Sequence, residues 1–128
     1  MTSTAIALDK FFSGFGIDAY VTDNIPDNVQ MPYITYDLIE PIPFTRGILN
    51  ASVWYRDTGY AAISAKVDEI AAAIDSGVSL RTSSGAVHLY RERGGAWCQM
   101  RNDPNRETKR AYLSMIIIAN TDQGVEKH

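Results

Sequence analysis

Residues Ser52–Gly77 read SVWYRDTGYAAISAKVDEIAAAIDSG, and this stretch decides the fold class. Its first residues alternate in polarity, as a strand with one buried face does, and the remainder carries a helical period. Ile63, Val67, Ile70 and Ile74 recur at spacings of 4, 3 and 4, one apolar stripe along a predicted helix. Such a helix is roughly 27 Å long. Asp57 or Thr58 is expected to accept hydrogen bonds from its first free N–H groups. Gly77 is expected to end it in the left-handed conformation. Ala61, Ala62, Ala65, Ala71, Ala72 and Ala73 keep the rest of the surface smooth, which suits close packing on a sheet or a neighbouring subunit.

Upstream, the strand that feeds this helix starts at Ile48. It puts Leu49, Ala51, Val53 and Tyr55 on one side and Asn50, Ser52, Trp54 and Arg56 on the other. A large aromatic on the polar side is either covered by another layer or marks an interface. Before it, Tyr33–Glu40 alternates as a half-buried strand, with Ile34, Tyr36 and Leu38 on one face and Tyr33, Thr35 and Asp37 on the other. The connection EPIPFTRG presents Phe44 and Arg46. At the start of the chain, Ser3 or Thr4 can cap a helix whose Ala5, Leu8, Phe12 and Phe15 share a face. Gly14 and Gly16 end that helix, and a short strand, Ala19–Thr22, precedes the turn-rich DNIPDNVQMP.

Downstream, Val78–Arg81 and Ala86–Arg91 read as strands joined at Ser83-Ser84-Gly85, and Ala96–Arg101 as another. The loop NDPNRETK leads into Tyr112–Asn120, where both alternating sets are apolar, so this strand is expected at the centre of the sheet with both faces covered. The polar tail from about 121 to 128 is expected to fray. The resulting order α-β-β-β-α-β-β-β-β predicts an α+β fold, with two helices packed on a mixed, largely antiparallel sheet of about five to seven strands. Residues 1–128 read as a single domain.

Composition is ordinary for a globular chain, at 45% hydrophobic and 21% charged residues. No apolar run approaches the ~18 residues of a membrane span, and MTSTAIALDK lacks the basic region of a secretion signal. The single cysteine, Cys98, excludes an intrachain disulfide and a thiolate metal cluster. The net charge of −3 hides an asymmetry. Residues 1–79 hold ten acidic and four basic side chains, whereas residues 80–128 hold five acidic and eight basic. Arg91, Arg93, Arg101, Arg106, Lys109 and Arg110 all fall between 91 and 110. Such a polarised chain can meet an acidic partner, or the acidic half of another copy.

Catalytic readings are thin. Gly14-Phe15-Gly16 followed by Ala19 fits a dinucleotide pattern only in spelling, because here the helix precedes and the strand follows. Asp27, Glu107 and Lys109 spell a Mg²⁺-dependent nuclease core, with two carboxylates and a lysine suited to phosphodiester cleavage. His88 has no second internal histidine with which to build a zinc site, and Cys98 sits beside Trp97 and Met100 like a small core hydrophobe. The chain reads as a non-enzyme that needs no cofactor. The alternatives are that Mg²⁺ enzyme and a small DNA-binding module centred on residues 91–110.

The order of features resembles that of the tail-completion, or tail-terminator, proteins of long-tailed phages and prophages. The resemblance rests on Met31–Tyr36 (MPYITY), after a proline-bearing loop, and on Ser52–Arg56 (SVWYR) running into the long helix. It covers most of residues 4–118, while Ala86–Thr108 carries no family signature. The resemblance implies a structural virion protein at the neck end of the tail, made in the bacterial host cytoplasm. It implies a ring, generally a hexamer, that ends tube polymerisation and offers a surface for head joining. The partners implied are other copies, the tail-tube protein and head–tail connector proteins, with DNA passing the lumen non-specifically and no membrane. Six globules of this size, each about 18 Å in radius, leave a hole of roughly 36 Å. The residues expected to touch neighbours, tube or head are Phe44, Arg46, Trp54, Arg91, Arg93, Trp97, Arg101, Arg106, Lys109 and Arg110.

Overall fold

The computed structural model describes residues 3–91, 96–102 and 107–121. The chain forms α1 (Ser3–Phe12), a 3-10 turn (Ser13–Phe15), β1 (Asp18–Val21), a second 3-10 turn (Thr22–Asn24), β2 (Tyr33–Tyr36) and β3 (Gly47–Arg56). Then come α2 (Ala61–Asp75), β4 (Val78–Thr82), β5 (Gly85–Arg91), β6 (Cys98–Asn102) and β7 (Thr108–Thr121). Two helices and seven strands in this order are the predicted α+β architecture.

The sheet runs β1-β2-β3-β7-β5-β4, with β6 also on β7. Only β1 and β2 are parallel; the other pairs are antiparallel. β3 pairs with β7 from Arg56↔Thr108 to Gly47↔Ile117. β5 and β6 succeed one another along the opposite flank of β7, at Met115–Thr121 and Lys109–Leu113 respectively. The fourteen-residue β7 is therefore the central strand, as its apolar run requires.

The helices cover one face. Leu49, Val53, Leu89, Leu113, Met115 and Ile117 are fully buried there, with Ile63 and Ile70 of α2 and Leu8 and Phe12 of α1. Each such side chain contributes about 1.5–3 kcal/mol on burial. The Tyr36 ring stacks on Phe12 with centroids 4.7 Å apart. Lys66 of α2 donates to the Phe15 carbonyl at 2.6 Å, satisfying the end of the first helical segment and tying the two helical segments together. Gly77 has a φ of 99°, and the space around it is open, so its backbone conformation alone calls for glycine. Gly85 is needed for space: a Cβ there would lie 2.0 Å from the Asn120 carbonyl oxygen across the β5–β7 pairing.

Several local expectations are corrected. α2 begins at Ala61, and Asp57 instead accepts from the backbone N–H of Thr58 at 2.7 Å, so it organises the turn ahead of the helix. β2 stops at Tyr36, and Leu38 is exposed, because the chain leaves the sheet for the proline-bearing connection. Thr35 is buried along with Ile34 and Tyr36 although it lies on the other face of the sheet from them, and its hydroxyl accepts from Trp54 Nε1 on that face. β6 starts at Cys98 and β1 at Asp18. β7 begins inside the predicted loop, at Thr108, where both Thr108 and Lys109 are buried. Its second face is only half covered, with Tyr112 and Ile118 partly exposed. Residues 103–106, expected as part of a loop, and the expected frayed tail from 122 lie outside the described residues.

Candidate functional site: the helix-free face of the sheet

With both helices on one side, the side chains of opposite parity lie on a face that neither α1 nor α2 covers. The register places Asp18, Tyr33, Trp54, Arg110 and Arg101 in one row across β1, β2, β3, β7 and β6. A second row is Tyr20, Thr35, Ser52, Tyr112 and Gln99. These rows interlock. Tyr20 and Tyr33 meet edge to face at 6.0 Å, and Tyr33 lies 6.2 Å from the Trp54 ring. The Arg110 guanidinium sits 4.7 Å over Trp54 and 5.2 Å over Tyr112, and Arg101 lies 5.0 Å over the same tyrosine. Cation–π contacts of this kind contribute about 0.5–1 kcal/mol each at exposed sites.

Hydrogen bonds fix these groups from below. Trp54 Nε1 donates to Thr35 Oγ1 at 2.9 Å, and Arg110 Nε donates to Ser52 Oγ at 2.9 Å. Thr35 and Ser52 are each 3% exposed, so two buried hydroxyls aim one aromatic and one cation outward. Arg101 donates to Gln99 Oε1 at 3.0 Å. Burial first, then the neighbouring Asp18 carboxylate, pushes the Tyr20 phenol upward. Further along the sheet the face turns apolar, where Ile48, Ile116 and Tyr90 form a cross-strand row with Ile48 and Tyr90 about half exposed.

The ten residues expected to touch partners separate into distinct environments. Trp54, Arg101 and Arg110 come together on the helix-free face, where Arg110 covers the half-buried indole. Phe44 is 59% exposed in the β2–β3 connection, with a left-handed φ of 62° and its N–H bonded to the Ala119 carbonyl at 2.7 Å. Arg46 is exposed in the same connection. Arg91 lies on the helix side, where it forms a two-pronged ion pair with Asp75 at the end of α2, and that hydrogen bond holds its guanidinium above the usual range. It also lies 5.7 Å from the ring of Trp97, which packs against the core. Lys109 is only 4% exposed, its ammonium 5.0 Å over the Tyr60 ring. Arg93 and Arg106 lie outside the described residues.

The three residues of the catalytic alternative stand in different settings. Asp27 is exposed on the β1–β2 connection, Glu107 pairs with Arg56 at 3.5 Å, and Lys109 engages Tyr60. Among the described residues, no group of three or more His, Cys, Asp or Glu side chains gathers as a metal site. His88 meets Asn120 at 2.8 Å. Burial, with a smaller contribution from Asp68, pushes the Cys98 thiol up, away from the reactive thiolate. A cleft of about 550 Å³ on the helix side is lined by Phe11, Phe15, Ala73 and Leu80, with Lys10, Ser79 and Arg81 also in its wall. No helix among the described residues is long and apolar enough to cross a membrane.

Sequence reasoning missed Asp18, Tyr20, Tyr33, Thr35, Ser52, Gln99 and Tyr112 as members of the site. The alternation of Tyr33 with Ile34, and of Tyr112 with Leu113, carried the facing of two of these rows; only the register shows that they adjoin.

The fold defined by these elements is an α+β sheet with helices on one side, and it is shared with a known particle component. The chain matches a chain of a structure described as "Virion of native gene transfer agent (GTA) particle", with a TM-score of 0.62 and 16% identity, covering 91% of this chain and 97% of that one. No family model and no curated protein matches the sequence.

Proposed function

We propose that this chain is a structural, non-enzymatic component of a phage-like virion. We further propose that it acts at the neck end of the tail as a ring that ends tube polymerisation and presents the head-joining surface. The observation that carries the first part is the shared fold, which runs nearly end to end in both chains. The resemblance of Met31–Tyr36 and Ser52–Arg56 to tail-completion proteins supports the second. The helix-free face supplies a partner surface: held aromatics and guanidiniums are the side chains enriched where proteins meet. In this reading the partners are other copies of the chain, arranged by sixes as in the resembling family, the tail-tube protein and the head–tail connector.

The test is to produce particles without this chain and measure their tails by electron microscopy. Over-long or unjoined tubes are expected, and normal capped tails would remove the proposal. Trp54→Ala supplies the finer arm. The variant is expected to remain folded by circular dichroism while failing to restore capped tails. A variant that is folded and fully restores capping shows that the face is not the working surface.

A further inference from the structure

The two ends of the first row differ in charge. At the β6–β7 end, Arg101 and Arg110 are direct cross-strand partners, an arrangement in which like charges repel. Both guanidiniums are held against one ring, that of Tyr112, so they cannot swing apart without giving up that contact. Among the described residues neither has a carboxylate partner: their hydrogen bonds go to Gln99 and Ser52. A guanidinium has five donors, and a pair held side by side is a site for an oxyanion. At the other end of the row stands Asp18, exposed on β1, its one hydrogen bond among the described residues a long 3.5 Å contact from the Tyr20 hydroxyl. The connection leaving β1 adds exposed Asp23 and Asp27 and contains no lysine or arginine.

β1 pairs only with β2, and β6 only with β7, among the described residues. The acidic and basic ends of the row therefore lie at opposite margins of one sheet. This is the arrangement a head-to-tail contact requires, in which two different patches of the same chain complement one another and the rotation closes a ring. Resting on the ring reading above, we infer that the Arg101–Arg110 pair of one copy receives the Asp18 carboxylate end of the next, Asp23 and Asp27 adding to the attraction. The row of one subunit then continues into the row of its neighbour. The same carboxylates neutralise the repulsion that the isolated chain carries.

Charge exchange on the full-length chain tests this. Asp18→Arg and Arg101→Asp each reverse one exposed end, and the doubly exchanged chain restores complementarity. Self-association is measured by sedimentation velocity at low salt, up to about 1 mM chain, the range of weak contacts. The wild type is expected to associate, and to do so less as salt screens the contact. Each single reversal is expected to weaken association roughly tenfold or more, with the double exchange recovering most of it. Circular dichroism confirms the fold of each variant, and Arg101→Gln gives a milder second reading should Arg101→Asp fail to fold.

Association unchanged by both reversals, a double exchange that recovers nothing, or a wild type that stays monomeric at every concentration overturns the inference. None of these outcomes decides the capping of tails, which is read separately in particles. Duplex DNA of mixed sequence is titrated in parallel. DNA binding that Arg101→Gln abolishes, with self-association unaltered, also overturns the inference and assigns the pair to nucleic-acid phosphates instead.

Discussion

The two faces of the sheet are built on different terms. On the helix side, Leu49, Val53, Leu113, Met115 and Ile117 are selected for volume and leave no exposed area. On the other side the same strands carry Ser52, Trp54, Arg110, Tyr112 and Ser114, all joined by hydrogen bonds or ring contacts to a neighbour. No buried side-chain nitrogen or oxygen among the described residues lacks a partner. The difference teaches that stability and presentation are separated across a single layer. One face excludes water through packing, and the other uses a few buried hydroxyls to aim larger groups at solvent.

The largest expected effect comes from adjacent residues of opposite parity. Leu113→Ala removes a fully buried side chain beneath the helices and is expected to destabilise the fold by about 2–5 kcal/mol. Tyr112→Ala, one residue away on the helix-free face, removes two cation–π contacts and is expected to cost about 1 kcal/mol. Urea unfolding of both variants checks the contrast, and equal losses would break it.

A smaller effect probes how the free face is held. Trp54→Phe takes away the N–H that satisfies Thr35, and a loss of about 1 kcal/mol is expected. Thr35→Val should add little to it, because the two groups share one bond. Full additivity in a double-mutant cycle would show that the bond does not anchor the indole.

The smallest effect belongs to the helix side. Burial, then the Asp9 carboxylate that accepts the Tyr36 hydroxyl at 3.3 Å, pushes the Tyr36 phenol up to about 12. The folded value lies above the ordinary one of about 10, so the contribution is complete below pH ~10 and is lost as pH rises through about 12. Tyr36→Phe is expected to lower stability by about 0.5–1 kcal/mol near neutral pH. It should also remove the last step of the tyrosine absorbance titration. A wild-type titration in which every phenol ionises near pH ~10 would place Tyr36 in water.

Legibility followed the range of the physics. The stripe Ile63, Val67, Ile70 and Ile74 gave α2, because helix periodicity is local to the chain; all four are buried as predicted. The parity of β3 was equally readable, and it placed Trp54 opposite the core. The start of α2 was less so: Asp57 is a good capping residue, but its carboxylate satisfies the preceding turn first. Lys109 was misread as loop because its charge and the polar residues before it suggest solvent. The pairing Tyr55↔Lys109 extends β7 and carries the lysine beneath Tyr60. The arginine-rich segment showed the sharpest divergence. Its composition suggests one basic patch, whereas Arg91 joins α2 on one face and Arg101 and Arg110 gather on the other.

By itself, then, the sequence determined the element order, the two helices, the central place of β7 and which residues of β2, β3 and β7 share a face. Those properties follow from hydrophobic periods and turn chemistry, which act within a few residues of one another. Only the tertiary structure decided that Asp18, Tyr33, Trp54, Arg110 and Arg101 stand in one row, drawn from five strands far apart in the chain. Strand order and register set that row, and both arise from how the whole apolar face packs under the helices rather than from any local signal.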